Sequence, residues 1–156
     1  MMTRISDGER VFVHASDIQF LSSYAVSEIL DFEPDIVFAS GPPLYLPGFV
    51  KEKEEQAWNN VLRLAHRVDT LILDHHLLRC EEGLSWLQRL SKETGQRVIC
   101  AADFMGRSRH ILEAQRSQLY KEIPVSDGWH EQYAQGSATT ESYMNSARER
   151  YTWFDY

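Results

Sequence analysis

The sequence has little of several things, and each shortage excludes a class of protein. Cysteine occurs only twice in 156 residues. The positions, Cys80 and Cys100, match neither a zinc knuckle nor a redox pair. A disulfide framework is thereby excluded, and two packing thiols in a cytoplasmic protein are expected. Positive charge is short as well: 16 Lys and Arg face 23 Asp and Glu, a formal net charge of −7. No basic stripe offsets that sign, so nucleic-acid binding through phosphate neutralisation is not expected. No apolar run approaches the roughly 20 residues that cross a bilayer. The opening "MMTRISDGER" lacks the apolar core of a secretory signal. A Walker loop, a nucleophile elbow and a dinucleotide fingerprint are all missing.

What is present is ordinary globular composition, 43% hydrophobic and 25% charged, in a length that suits one core. "RVFVHAS" (10–16), "PDIVFAS" (34–40), "DTLILD" (69–74) and "RVICAAD" (97–103) read as strands rich in β-branched residues. Between them, Ala25, Val26, Ile29 and Leu30 fall on one helical face behind Ser22 or Ser23 as N-cap. Trp58, Val61, Leu62 and Ala65 follow an acidic first turn in a second helix. A third helix, "EEGLSWLQRLSKETG", closes at Gly95, and a fourth runs through 111–123 to Pro124, with the start of one more after it. Alternating strands and helices imply βαβ crossovers and an α/β fold with a mainly parallel, two-sided sheet and flanking helices. The turn "SDGE" (6–9) is of hairpin type, and its first arm is short, since only "MMTRI" precedes it. We expect residues 1–130 to form the domain and 131–156 a polar and aromatic tail, mobile or used for docking.

Ligands of a parallel sheet bind beyond the carboxyl ends of its strands. Those ends here read Ser16-Asp17, Ser40-Gly41-Pro42-Pro43, Asp74-His75-His76 and Asp103. Carboxylates gathered at one edge call for a cation, and a mixed His and Asp set suits zinc, manganese or iron. Asp17, His75 and His76 are the candidate ligands. Ser16, Gly41, Pro42, Asp74 and Asp103 are candidates for the pocket or for orienting a ligand. Plainer roles compete: an aspartate at a strand end often caps the next helix, and that is the preferred reading of Asp103. His75 and His76 are adjacent, so an extended backbone would turn only one of them to the site. His14 reads as structural, and His66, His110 and His130 as surface residues. Use of Asp17 in magnesium-dependent phosphoryl transfer would require a second acid close after it, but Ile18, Gln19, Phe20 and Leu21 follow.

"ASDIQ", "GPPLYL", "LDHHLLR" and "EAQRSQLYKEIPVSDGW" together resemble the C-terminal half of a prokaryotic, largely archaeal family of metallo-β-lactamase-fold proteins regarded as metal-dependent hydrolases. The likeness runs from Gly8 to Trp129. It implies that the domain is one αβ half of an αββα sandwich, with Asp17 as a metal-bridging aspartate and His75 or His76 as a late histidine ligand. Zinc is the implied metal, with manganese or iron as alternatives. The superfamily's His-x-His-x-Asp-His signature is absent, so the resemblance implies weak metal binding and no hydrolysis by this chain alone. Its partner would be a separate N-terminal half-domain polypeptide or a second copy in a homodimer. The alternative is a non-catalytic remnant or interaction module that dimerises.

Overall fold

The hairpin signalled by "SDGE" needs no longer arm than the one it has. Strand β1 (Met2–Ser6) pairs antiparallel with strand β2 (Val11–Ala15) in five residue pairs, from Met2 opposite Ala15 to Ser6 opposite Val11. Asp7 Oδ1 accepts the backbone N–H groups of Glu9 and Arg10 at 3.0 and 2.8 Å, and Gly8 takes φ 97°. A side chain that mimics a turn of backbone, followed by a residue free to adopt positive φ, closes the hairpin locally. This computed structural model describes residues 2–141.

Helix α1 (Ser23–Leu30), strand β3 (Ile36–Ala39), helix α2 (Lys51–Ala65), strand β4 (Thr70–Leu73), helix α3 (Glu82–Thr94) and strand β5 (Arg97–Ile99) come next along the chain. The sheet order is β1-β2-β3-β4-β5, with every pairing after the hairpin parallel. The fold is therefore mixed α/β, as expected. Ser22 is the N-cap of α1, its side chain accepting from Ala25 N–H at 3.3 Å, and Gly95 ends α3 in the left-handed conformation.

Strands that are always added to the same side of a sheet place right-handed crossovers on a single face. Side-chain alternation divides the sheet accordingly. Val13, Val37, Leu71 and Val98 lie in one register row, and Ala15, Ala39 and Leu73 in the next. All seven belong to the core that includes Val26 and Ile29 of α1, Val61 and Leu64 of α2, and Leu87 and Leu90 of α3. The opposite face carries Ile5, Phe12, Ile36, Phe38, Ile72 and Ile99. Ile72, at the centre, is buried there; Phe12, Ile36, Phe38 and Ile99 are half-buried, and Ile5 is exposed. His14 stacks on Phe38 on this face, with ring centroids 5.3 Å apart.

The last strand is shorter than the 97–103 expected. Cys100 is the N-cap of a four-residue helix α4 (Ala101–Phe104), and Asp103 Oδ2 accepts from Cys100 N–H at 3.0 Å. The apolar Ala-Ala pair thus belongs to a capped turn, since the chain reaches the sheet edge at Ile99. The chain divides into two compact units, Met1–Ala114 and Gln115–Tyr156. In the second, helix α5 (Arg116–Glu122) is shorter than the 111–123 predicted, with turns in place of its first residues. Helix α6 (Trp129–Ala134), where Trp129 stacks on Tyr133, runs across the domain boundary expected at residue 130. Residues 142–156, most of the expected tail, lie outside the described residues. No helix among the described residues is long and apolar enough to cross a membrane.

Candidate metal centre

Strands β2, β3 and β4 are neighbours, so the segments leaving their carboxyl ends meet. Ser40, at the end of β3 and only 6% exposed, ties the other two. Its hydroxyl accepts the backbone N–H of Asp17 at 3.1 Å, and its carbonyl accepts the N–H groups of His76 and Leu77, both at 3.1 Å. Ser40 was not among the candidates, because a serine at a strand end carries no signal of its own. Gly41 donates its N–H to the carbonyl of Ile18 at 3.1 Å and takes φ 77°, and a Cβ on it would come within 2.8 Å of Leu77 Cβ. The glycine of "GPP" is there because loop and turn backbones touch. Pro42 is buried beside it, while Ser16 is exposed.

Asp17 and Phe20 both have positive φ, 54° and 63°. Aspartate tolerates this conformation, but a bulky aromatic rarely adopts it. Phe20 is held there by burial, at 1% exposure, and by Asn60 Nδ2, which donates to its carbonyl at 2.7 Å. The loop that presents Asp17 is therefore fixed from the helix layer.

The two histidines do not diverge. After Leu73 the backbone leaves the strand and enters a 3-10 turn at Leu77–Arg79, with His76 already helical at φ −79° and ψ −40°. Strand alternation no longer applies, and both rings point to Asp17. Its Oδ1 lies 3.5 Å from His76 Nε2 and 4.0 Å from His75 Nε2, and the ring centroids are 4.6 Å apart. One ligand atom from each of Asp17, His75 and His76 lies within 4.8 Å of the others. His76, 15% exposed, is shifted toward the neutral form mainly by burial, then by the neighbouring His75 and Arg79 charges; Asp17 opposes the shift. A neutral imidazole is the form that offers a lone pair to a metal. Two imidazoles and a carboxylate fit zinc, manganese or iron.

Asp74 and Asp103 stay outside this cluster. Asp74 Oδ2 accepts the N–H of Ala101 at 2.9 Å, and its carbonyl accepts from Leu77 at 2.8 Å, so it ties the turn to the start of α4. Asp103 caps α4 and receives Arg109 in two hydrogen bonds of 2.7 and 2.8 Å; that guanidinium is the main reason its pKa falls to about 2. Two further residues touch the cluster without having been singled out, Tyr45 and Arg79. The Tyr45 hydroxyl is 3.3 Å from His76 Nδ1, and Arg79 donates to that hydroxyl at 3.0 Å. Arg79 stands four residues after His75, one helical turn, which was the only available hint of it.

Fold and cluster together define a parallel-sheet α/β domain with a three-residue set of metal donors at the carboxyl edge of adjoining strands. The sequence is similar to a UPF0282 protein of Methanosarcina mazei, 52% identical over 144 residues, covering 92% of this chain and 48% of that protein. It is also similar to a UPF0282 protein of Methanopyrus kandleri, 41% identical over 74% of the chain and 40% of the relative. A third, from Pyrococcus horikoshii, is 34% identical over 78% of the chain and 38% of the relative. The chain thus spans about half the length of these curated relatives, or less. No family model matches it, and no solved structure does. These comparisons overturn the resemblance to a metallo-β-lactamase half-domain: the relatives carry only the UPF0282 name, and neither a family model nor a solved structure supports that fold. Short motifs at strand ends recur wherever a parallel sheet presents acids and histidines at one edge, so their order did not carry a family assignment.

Proposed function

We propose that Asp17, His75 and His76 bind a divalent metal, zinc first and manganese or iron as alternatives, and serve metal-dependent hydrolysis. The observation that carries this is the convergence of three ligand atoms within 4.8 Å of one another. Three protein ligands with an open position is the arrangement of catalytic rather than structural zinc. Such an ion supplies a Lewis acid that activates water and polarises the bond to be cleaved. The chain's own residues place and orient the donors. Ser40 fixes the backbone on both sides, and Tyr45 holds the His76 ring from behind. Asp17 and His75 are more than half exposed, with side chains 71% and 53% accessible, so water competes for them and affinity in this chain alone is weak. The relatives are longer, and the remainder of such a polypeptide is the proposed source of the further ligands and of the substrate pocket.

Metal content of the purified chain, measured by plasma mass spectrometry after zinc or manganese loading, tests the reading. Bound metal in the wild type that is lost in Asp17→Ala and in a His75→Ala/His76→Ala double variant is the expected result. Equal metal in all three would sink it.

A second reading, a non-catalytic module that pairs with another copy, draws on the apolar side chains half-exposed on the sheet face away from α1, α2 and α3. A solution mass of twice the 18.1 kDa chain, unchanged by Asp17→Ala, would favour it.

A further inference from the structure

Arg79 is half-buried beside the donor cluster, yet the ion pairs of the described residues leave it out. A guanidinium withdrawn from water without a carboxylate is a ready anion receptor. Its position is specific. One terminal nitrogen lies 3.4 Å from His75 Nε2, the ring atom that also faces Asp17. The other donates to the Tyr45 hydroxyl at 3.0 Å, and the guanidinium carbon sits 5.5 Å from the Tyr45 ring centroid.

Tyr45 completes the arrangement. Its ring is stacked with His76, with centroids 6.4 Å apart and 22° between the planes. His76 Nε2 faces Asp17, so a neutral ring that offers Nε2 as a ligand carries its proton on Nδ1. Nδ1 then donates to the Tyr45 oxygen 3.3 Å away, the same oxygen that accepts from Arg79. With its oxygen accepting twice, the phenol keeps its own O–H to give to something else. Once His75 Nε2 is engaged as a ligand, it no longer accepts from Arg79, and that guanidinium nitrogen is released toward the same space.

We infer that Arg79 and Tyr45 are substrate-binding residues, and that the group they receive beside the donor cluster is a phosphoryl oxyanion. This rests on the metal-binding reading above. A carboxylate has two oxygens to share among the metal donors' side, the guanidinium and the phenol, whereas a phosphoryl group has three. Arginine suits such a group because its planar fork matches adjacent oxygens.

The test uses the 156-residue chain, manganese and inorganic phosphate, with free manganese monitored by electron paramagnetic resonance. Ligands that bind together raise each other's affinity by the same factor. Phosphate should therefore tighten manganese binding by about five-fold or more in the wild type. In Arg79→Gln, manganese should still bind without phosphate, but the tightening should be lost; Tyr45→Phe should reduce it. Thermal melting establishes that each variant is folded. If Arg79→Gln is not, Arg79→Lys keeps the charge without the fork and should lose most of the effect. Manganese binding that phosphate leaves unchanged would overturn this inference and leave the metal site standing. Equal tightening by acetate, or tightening that survives at Arg79→Gln, would also overturn it. No manganese binding with or without phosphate would overturn both proposals.

Discussion

The two faces of the sheet are made from similar residues and are used differently. On the helix side, Val13, Val37, Leu71 and Leu73 are 0–1% exposed and pack against α1, α2 and α3. On the other side, Phe12, Ile36, Phe38 and Ile99 are equally apolar, and only Ile72 at the centre is buried. The difference comes from strand order, because monotonic addition of strands sends every crossover to one side. Apolar character alone therefore does not say which residues hold this fold. Register does.

The largest expected effect separates the faces directly. Leu71→Ala should cost about 2–5 kcal/mol, because it leaves a cavity in a layer closed on all sides. Ile36→Ala, already half in water, should cost roughly 1 kcal/mol. Urea unfolding of both variants measures the gap; equal losses would erase the distinction. Next comes the contact that couples the helix side to the donor turn. A Cβ at Gly83 would sit 1.9 Å from the Leu77 carbonyl oxygen, whereas one at Gly48 meets nothing within 4 Å. Gly83→Ala should lose about 1–3 kcal/mol through forced backbone movement, and Gly48→Ala close to none. A thermal-melting comparison decides whether the helix layer supports the turn.

A smaller effect is expected at Asn60, whose amide reaches from α2 to the Phe20 carbonyl. Asn60→Ala leaves that buried acceptor unpaired at a cost of about 1–2 kcal/mol. It should also lower metal retention, because the Asp17 loop loses its brace. Full stability in Asn60→Ala would show that Phe20 burial alone holds the loop. The smallest effect is electrostatic. Arg109 depresses the Asp103 pKa from 3.8 to about 2, so the stability it adds is present above the ordinary value and lost as pH falls from there through about 2. The pair is partly exposed, and its contribution is on the order of 1 kcal/mol or less. Asp103→Asn should flatten that acid limb in a pH series of unfolding curves, and an unchanged limb would assign it to other carboxylates.

Much of the fold was legible because strands and helices here obey their periodicities. Ser22 and Gly95 cap their helices as the sequence indicates, and all four predicted strand segments contain strands. The boundaries at Cys100 and before Arg116 were not legible, since a capped turn and a strand end share the same small apolar residues. At the site, Asp17, His75 and His76 could be found from their place at strand ends. Their convergence could not, because it depends on where the backbone leaves the strand, and Leu73 gives no local sign of that. Ser40, Tyr45 and Arg79 were missed for a related reason: each acts through a neighbour from another segment.

The monotonic strand order also bears on how the chain acquires its structure during synthesis, when domains form from the N-terminal side. Each new strand finds its partner at an edge that already exists, and none has to wedge between two strands already paired. The hairpin of β1 and β2 closes locally, β3 adds to it across α1, and β4 adds across α2. Once the turn after β4 is in place, Asp17, Ser40, His75 and His76 are all available. The donor cluster is thus assembled by the time Arg79 emerges, and α3 and β5 then sheathe a centre whose parts have already met.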